Sequence, residues 1–189
     1  MITTSSKEKR YIRDRASGVN AQRLVEIGCF KGETTRVLSE VASDDGYVLA
    51  IDPMRWASRP AHIWERLDGL LHPFGYEGHF WRNVRRSARD NVRLIKQLSH
   101  EPTLLDDPDP TLRELDFAFI DGEHLYESAL RDFENWGARV RAGGVVLMHD
   151  CIPRFEGVER AVAEIAQDAR YDVTWPARHT GSIATVEVL

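Results

Sequence analysis

Residues Leu115–Cys151 read LDFAFIDGEHLYESALRDFENWGARVRAGGVVLMHDC. The stretch opens on an apolar strand, Phe117–Ile120, that ends on Asp121-Gly122, and His124 follows three residues after Asp121. Tyr126, Ala129, Leu130, Phe133, Trp136 and Val140 then share one helical face, which predicts a helix from roughly Glu123 to Arg141. Gly143-Gly144 comes next, then a second apolar strand, Val145–Met148, that finishes on His149-Asp150. This is a β-α-β unit, and both of its strands end in side chains able to bind a metal or move a proton.

The chain on either side extends the same alternation. Arg23–Ile27 (RLVEI) is a buried strand that runs into Gly28-Cys-Phe-Lys-Gly32, and Thr34, Val37, Leu38 and Val41 predict a helix over Glu33–Ala42. Asp44-Asp45-Gly46 is turn chemistry, after which Tyr47–Ile51 forms a second strand that stops on Asp52-Pro53. Asn91–Lys96 is a third. Before them, Lys7–Ala16 reads as a short charged helix closed by Ser17-Gly18. After Cys151 a helix is expected over Gly157–Ala169, and Tyr171–Trp175 and Ser182–Leu189 are two closing strands, antiparallel to each other. Met54–Phe80 is the least regular region, with a partial helix expected at Ala61–Leu71, a loop through His72–Gly75 and a helix from about Gly78 to Arg89.

Strands alternating with helices predict an α/β fold: a doubly wound, mostly parallel sheet of seven strands, with an antiparallel C-terminal strand and helices on both faces. Ligands of such sheets sit at the carboxyl ends of the strands, near the switch in strand order. Gly28, Asp52, Asp121 and His149-Asp150 are therefore expected along one edge.

Composition narrows the function. A length of 189 residues suits one domain over 1–189, with residues 54–81 as a lid insert. The formal net charge of −5 supplies no basic field for nucleic acid or anionic lipid, and the basic residues of Trp81–Arg93 fall at helical spacing as a solvated face. Cys29 and Cys151 make neither a disulfide framework nor a zinc knuckle. No apolar run approaches the roughly 20 residues a bilayer span needs, so a soluble, cytoplasmic protein without a membrane partner is expected.

Glu26-Ile-Gly28-Cys-Phe-Lys-Gly32-Glu-Thr-Thr35 stands where a nucleotide-binding fold places its glycine turn. Gly28 lets the chain leave the strand tightly, and Gly32 is expected to let the backbone approach a ligand at the helix N-terminus. The G-x-x-x-G spacing misses the dinucleotide fingerprint, which favours a smaller nucleoside ligand over a pyrophosphate. Asp52, about 20 residues downstream, can accept hydrogen bonds from both ribose hydroxyls.

Taken together, VEIGCFKGETT, AIDP, FIDGEHLYE and GGVVLMHD resemble the motifs of class I S-adenosylmethionine-dependent methyltransferases, a Rossmann-like family. The resemblance runs from about Leu24 to Glu187 and is closest to the branch of macrocin-type and mycinamicin-type sugar O-methyltransferases and cephalosporin hydroxylase-associated proteins. It implies S-adenosylmethionine as cofactor, with Gly28 and its neighbours Cys29, Lys31 and Gly32 at the methionine part. It also implies Asp52 at the ribose and Gln97, Leu98 and Ser99 near the adenine. Glu26 would be the acid of the first motif, tied to the glycine loop or to a network beside the cofactor, which Asp121 also borders. Thr34 and Thr35 would bond the cofactor carboxylate or cap the helix.

The same resemblance implies magnesium at Asp121 and at an acidic pair matching His149-Asp150, with His124 as general base. His149 departs from the pattern, because magnesium prefers oxygen ligands. Three outcomes stay open: His149 points away and Asp121 and Asp150 hold the ion, His149 ligates a softer ion, or no metal binds and a histidine acts alone. Cys151 reads as a small buried residue. His62, His72, His79, His100 and His179 read as surface or loop residues, with His72 or His79 the nearest to a substrate contact.

The expected acceptor is a hydroxyl of a small molecule, a sugar, polyketide or aromatic natural product, covered by the aromatic segment Trp56–Trp81, by Cys151–Gly157 or by a second subunit of a homo-oligomer. Two rivals stand beside this reading: a cofactor-binding partner protein without transferase activity, and a nicotinamide oxidoreductase. The second lacks the third glycine and any Tyr-x-x-x-Lys pair.

Overall fold

The computed structural model describes residues 4–54 and 76–189. The helix expected at Ala61–Leu71, the loop His72–Gly75, His62 and most of the aromatic lid lie outside them. Seven strands form one sheet, β1 (Arg23–Ile27), β2 (Tyr47–Ile51), β3 (Val92–Ile95), β4 (Leu115–Ile120), β5 (Val140–Met148), β6 (Tyr171–Thr174) and β7 (Ala184–Val188), in the order β3-β2-β1-β4-β5-β7-β6. The pairs from β3 through β5 are parallel, and β7 pairs antiparallel with both β5 and β6. The order reverses between β1 and β4, which is where a ligand crevice opens in such sheets.

Strand alternation decides which helix each side chain meets. On one face Ala118, Ile120, Val146 and Met148 pack with Phe133, Trp136, Val158 and Val162. These come from α5 (Tyr126–Asn135), the turn that follows it, and α6 (Glu156–Ile165). On the other face Phe117, Phe119, Val145 and Leu147 pack with Ile12, Ala16, Val37 and Leu38. Those belong to α1 (Ser6–Gly18) and α2 (Glu33–Val41). A third cluster joins Ala50 and Cys29 to Phe80 and Val84 of α3 (Glu77–Val84). A short α4 (Pro102–Leu105) contributes Leu104 to the first face. No helix among the described residues is long and apolar enough to cross a membrane.

The elements follow the sequence closely, with one larger difference. The helix expected to reach Arg141 stops at Asn135, and Val140 opens β5, paired with Leu115. Gly137 permits the change: a Cβ there would lie 2.6 Å from the Phe133 ring, and its absence lets the chain tighten into a 3-10 turn over Gly137–Arg139. Val140 keeps a helical apolar spacing only because it enters the same core from the strand.

Candidate active site at the strand ends

The parallel ladder continues one residue past each strand and aligns the residues that follow. Gly28 N donates to Ile51 O (3.0 Å), Asp52 N to Ile95 O (3.1 Å), Asp121 N to Ile27 O (2.9 Å) and His149 N to Ile120 O (2.9 Å). The four expected strand ends therefore do share one edge. Phe30, Met54 and Asp150, with φ of 43°, 53° and 55°, all take the left-handed region here. Non-glycine residues held there cost of order 1–3 kcal/mol each and cluster at functional sites.

The glycine turn is used differently from expectation. At Gly28 (φ 81°) a Cβ would fall 2.0 Å from the carbonyl oxygen of Asp121, so the glycine permits β1 and β4 to bring their ends together. At Gly32, the residue before α2, a Cβ would meet the Phe80 ring at 2.8 Å. That space holds α3, so packing between α2 and α3 explains the glycine without a ligand. Thr34 pairs its hydroxyl with that of Thr4 (3.0 Å), and Thr35 donates to Glu26. Burial, with Asp121 and Asp52 nearby, pushes the Glu26 carboxyl up to about 8 against the Thr35 bond. Burial likewise raises the Cys29 thiol, and Lys31 lays its ammonium over the Phe30 ring at 5.0 Å.

After β3, Leu98 is exposed, while Ser99 donates its hydroxyl to Asp132 and accepts Trp136 Nε1 on its carbonyl (2.8 Å). Those bonds anchor the Gln97–Ser99 loop on α5 and the turn that follows it. Asp52, buried at the end of β2, accepts Phe30 N (2.9 Å) on Oδ2 and both Met54 N (2.7 Å) and the Tyr76 hydroxyl (2.9 Å) on Oδ1.

At the ends of β4 and β5 the structure gathers Asp121, His124 and Asp150, each offering a donor atom within 4.8 Å of the others. His124 Nε2 lies 3.2 Å from Asp150 Oδ2 but is not aligned for a hydrogen bond, and both His124 Nε2 and Asp150 Oδ1 are buried with no hydrogen-bond partner among the described residues. The His124 ring stacks on Phe155, with centroids 4.2 Å apart and planes 20° apart. Phe155 was not singled out in the sequence, and only the crossing of the 153–155 turn beside His124 reveals it.

His149 does not join that trio. It follows Val145 and Leu147 in strand parity and so faces the α1 side, against Phe119 (ring centroids 5.7 Å apart). Its Nδ1 lies 3.0 Å from Asp121 Oδ1 and 3.7 Å from Asp150 Oδ1, and its Nε2 lies 3.6 Å from Glu8 Oε1. Burial alone would lower its pKa. The carboxylates of Asp121, Glu8 and Asp150 outweigh burial and raise it to about 10. Of the ligand set Asp121, His149 and Asp150 expected from sequence, the cluster of donor atoms holds the two carboxylates with His124 in place of His149. Cys151 is buried as expected, its thiol pushed up by burial to about 12.

Comparison with known proteins bears on the fold and the family. A crystal structure of an O-methyltransferase from Bacillus cereus in complex with SAH superposes with a TM-score of 0.70 at 19% identity, covering 98% of this chain and 82% of that one. The O-methyltransferase TomG from Streptomyces achromogenes, in complex with SAM, gives 0.71 at 17% identity, with 98% and 81% covered. At these identities the likeness shows the fold. Among curated proteins, an uncharacterized protein, R132, of Acanthamoeba polyphaga mimivirus is 26% identical over 126 residues, 67% of this chain. The match spans half the length of that relative. A family model described as a methyltransferase domain matches residues 25–151, from within β1 to just past the His149-Asp150 pair, and the chain belongs to that methyltransferase family.

Proposed function

We propose that the protein is an S-adenosylmethionine-dependent O-methyltransferase acting on a hydroxyl group of a small molecule, with the macrocin-type and mycinamicin-type sugar methyltransferases as its nearest branch. The observation that carries the reading is the orphaned pair at the strand ends. His124 Nε2 and Asp150 Oδ1 are buried polar atoms that no described residue satisfies, beside the carboxylate of Asp121. Such atoms cost free energy unless a ligand completes them.

The residues fit the cofactor. Asp52 closes β2 with an acceptor carboxylate for the ribose, and the bends at Gly28 and Phe30 turn the loop beside it. S-adenosylmethionine supplies an already activated methyl group. What remains for the protein is to hold the acceptor oxygen in line and to take its proton. His124, whose ring Phe155 holds in place, would take the proton of the acceptor hydroxyl as the cofactor supplies its methyl group. Asp121 and Asp150 are the carboxylates that would hold a divalent ion, whose contribution when bound is to lower the pKa of the acceptor hydroxyl. With one histidine at hand and another offsetting carboxylate charge, manganese or iron suits the site better than magnesium.

Titration calorimetry with S-adenosylhomocysteine, repeated with NAD, tests the reading. Binding of the first without the second is expected, and the reverse would overturn it. Asp52→Asn should weaken the first by about a hundredfold, since hydrogen bonds to a charged acceptor contribute roughly 1.5–3 kcal/mol. Tyr76→Phe should move the other way. A carboxylate offers about four acceptor positions, and Asp52 already spends three of them, whereas a ribose diol needs two. Removing the Tyr76 hydroxyl frees one, and a gain of about fivefold in affinity is expected.

A further inference from the structure

One buried acid beside the site has no part in the chemistry above. Glu8 of α1 is almost fully buried, and both of its oxygens are held. Oε2 accepts from Ser5 N (2.8 Å) and Ser5 Oγ (2.7 Å), closing the capping box of α1. Oε1 accepts from Ser182 N and Ser182 Oγ, both at 2.8 Å. Gly181, at φ 71°, makes room for it, because a Cβ there would lie 2.4 Å from Oε1. A carboxylate fixed by four bonds cannot swing, and this one holds Oε1 3.6 Å from His149 Nε2, an ion-pair contact to a nitrogen that has no hydrogen-bond partner among the described residues.

We propose that Glu8 is a positioning residue of the site: it fixes the ring of His149, and His149 in turn fixes the carboxylate of Asp121, so that helix α1 sets the donor geometry at the strand ends. The use made of Asp121 rests on the methyltransferase reading, while the relay itself is a matter of contacts.

Three observations support it. His149 Nδ1 faces Oδ1 of Asp121 and Oδ1 of Asp150, on the α1 side, whereas Oδ2 of Asp150 faces His124. The histidine therefore holds one oxygen of Asp121 by a hydrogen bond, while Oδ1 of Asp150 has no hydrogen-bond partner among the described residues. Glu8 is the group that faces the far ring nitrogen, so it selects the ring orientation that puts Nδ1 between the two aspartates. Stability alone does not account for the arrangement, because burying ionised groups is often no better than packing apolar ones of equal volume. The helix thus reaches the site without contacting the reacting atoms.

The test uses the full-length chain, isotope-labelled on histidine, and follows by NMR the downfield Nδ1–H proton of His149, assigned by its disappearance in His149→Asn. Glu8→Gln keeps the volume of the side chain and is expected to speed solvent exchange of that proton by about tenfold or more. Ile12→Val trims a buried side chain of the same helix, leaves the four bonds of Glu8 in place, and is expected to leave the exchange within about twofold of the parent. Gly181→Ala displaces the Glu8 carboxylate without removing it and should reproduce the acceleration, which keeps the test open if Glu8→Gln does not fold. An unchanged signal in Glu8→Gln, or an equal acceleration in Ile12→Val, overturns the relay. Calorimetry with S-adenosylhomocysteine on the parent protein runs alongside: failure to bind there would sink the methyltransferase reading and leave the relay to be judged by the NMR alone.

Discussion

Asp121→Asn and Asp150→Asn are each expected to lower methyl transfer by about a thousandfold, roughly 4 kcal/mol of transition-state stabilisation, while S-adenosylhomocysteine affinity stays within about twofold. Asparagine is the right replacement on physical grounds. It keeps the volume of the side chain, so the carbonyl of Asp121 can stay against Gly28, where a Cβ would come within 2.0 Å. At position 150 it tolerates the left-handed backbone (φ 55°) that most residues resist. What it removes is the negative charge beside His124, and with it the means of holding a cation or an imidazolium during proton transfer. Asp121→Asn also takes one partner from His149, so it should be the less stable of the two. The measurement is transfer from isotope-labelled S-adenosylmethionine to a panel of hydroxyl-bearing small molecules, with calorimetry on the same samples. Loss of cofactor binding in either variant would show that Asp121 or Asp150 belongs to the cofactor pocket and not to the chemistry.

The second large effect lies at the opposite end of β4. Asp116, almost fully buried, accepts Gln22 N (3.0 Å) and Arg23 N (2.8 Å) on Oδ2, and Arg23 Nη2 (3.0 Å) and Arg141 Nε (2.7 Å) on Oδ1. Burial pushes its carboxyl up. The two guanidinium groups and two backbone amides outweigh burial and hold it well below the usual carboxylate range. Asp116→Ala strands these donors and should cost about 3 kcal/mol in urea denaturation at pH 7. The pH dependence follows from the direction of the shift. A group whose pKa is lower in the folded state stabilises above its unfolded value, near 3.9, and loses that contribution as pH falls toward the folded one. The gap between parent and variant should therefore narrow below about pH 4. An equal gap at pH 7 and pH 3 would mean that packing, not charge, holds this corner. Cofactor affinity is expected to be unchanged, since Asp116 opens the strand whose far end carries Asp121.

Much of the site was legible because it is local in sequence. Gly28, Asp52, Asp121 and the His149-Asp150 pair each follow an apolar run, and a parallel sheet places the residues after its strands on one edge. The purpose of Gly32 was not legible, since the ring that fills its missing Cβ belongs to Phe80 on α3. The end of α5 was misread because Val140 continues a helical spacing from inside a strand. His124, and not His149, stands with the two aspartates for a reason the sequence does contain. Residue 149 shares parity with Val145 and Leu147 and so turns to the α1 face, while the left-handed bend at Asp150 turns the next carboxylate toward His124.

The sequence by itself determined the order of strands and helices, the family, and the edge at which chemistry is placed, because periodicity and strand-terminal residues depend on near neighbours along the chain. Only the tertiary structure decided which groups touch. Glu8 meets Ser182 and His149, Phe155 meets His124, and Tyr76 closes on Asp52. Those contacts arise from how helices seat on the two faces of the sheet, and seating is settled by the packing of whole faces, which no local pattern encodes.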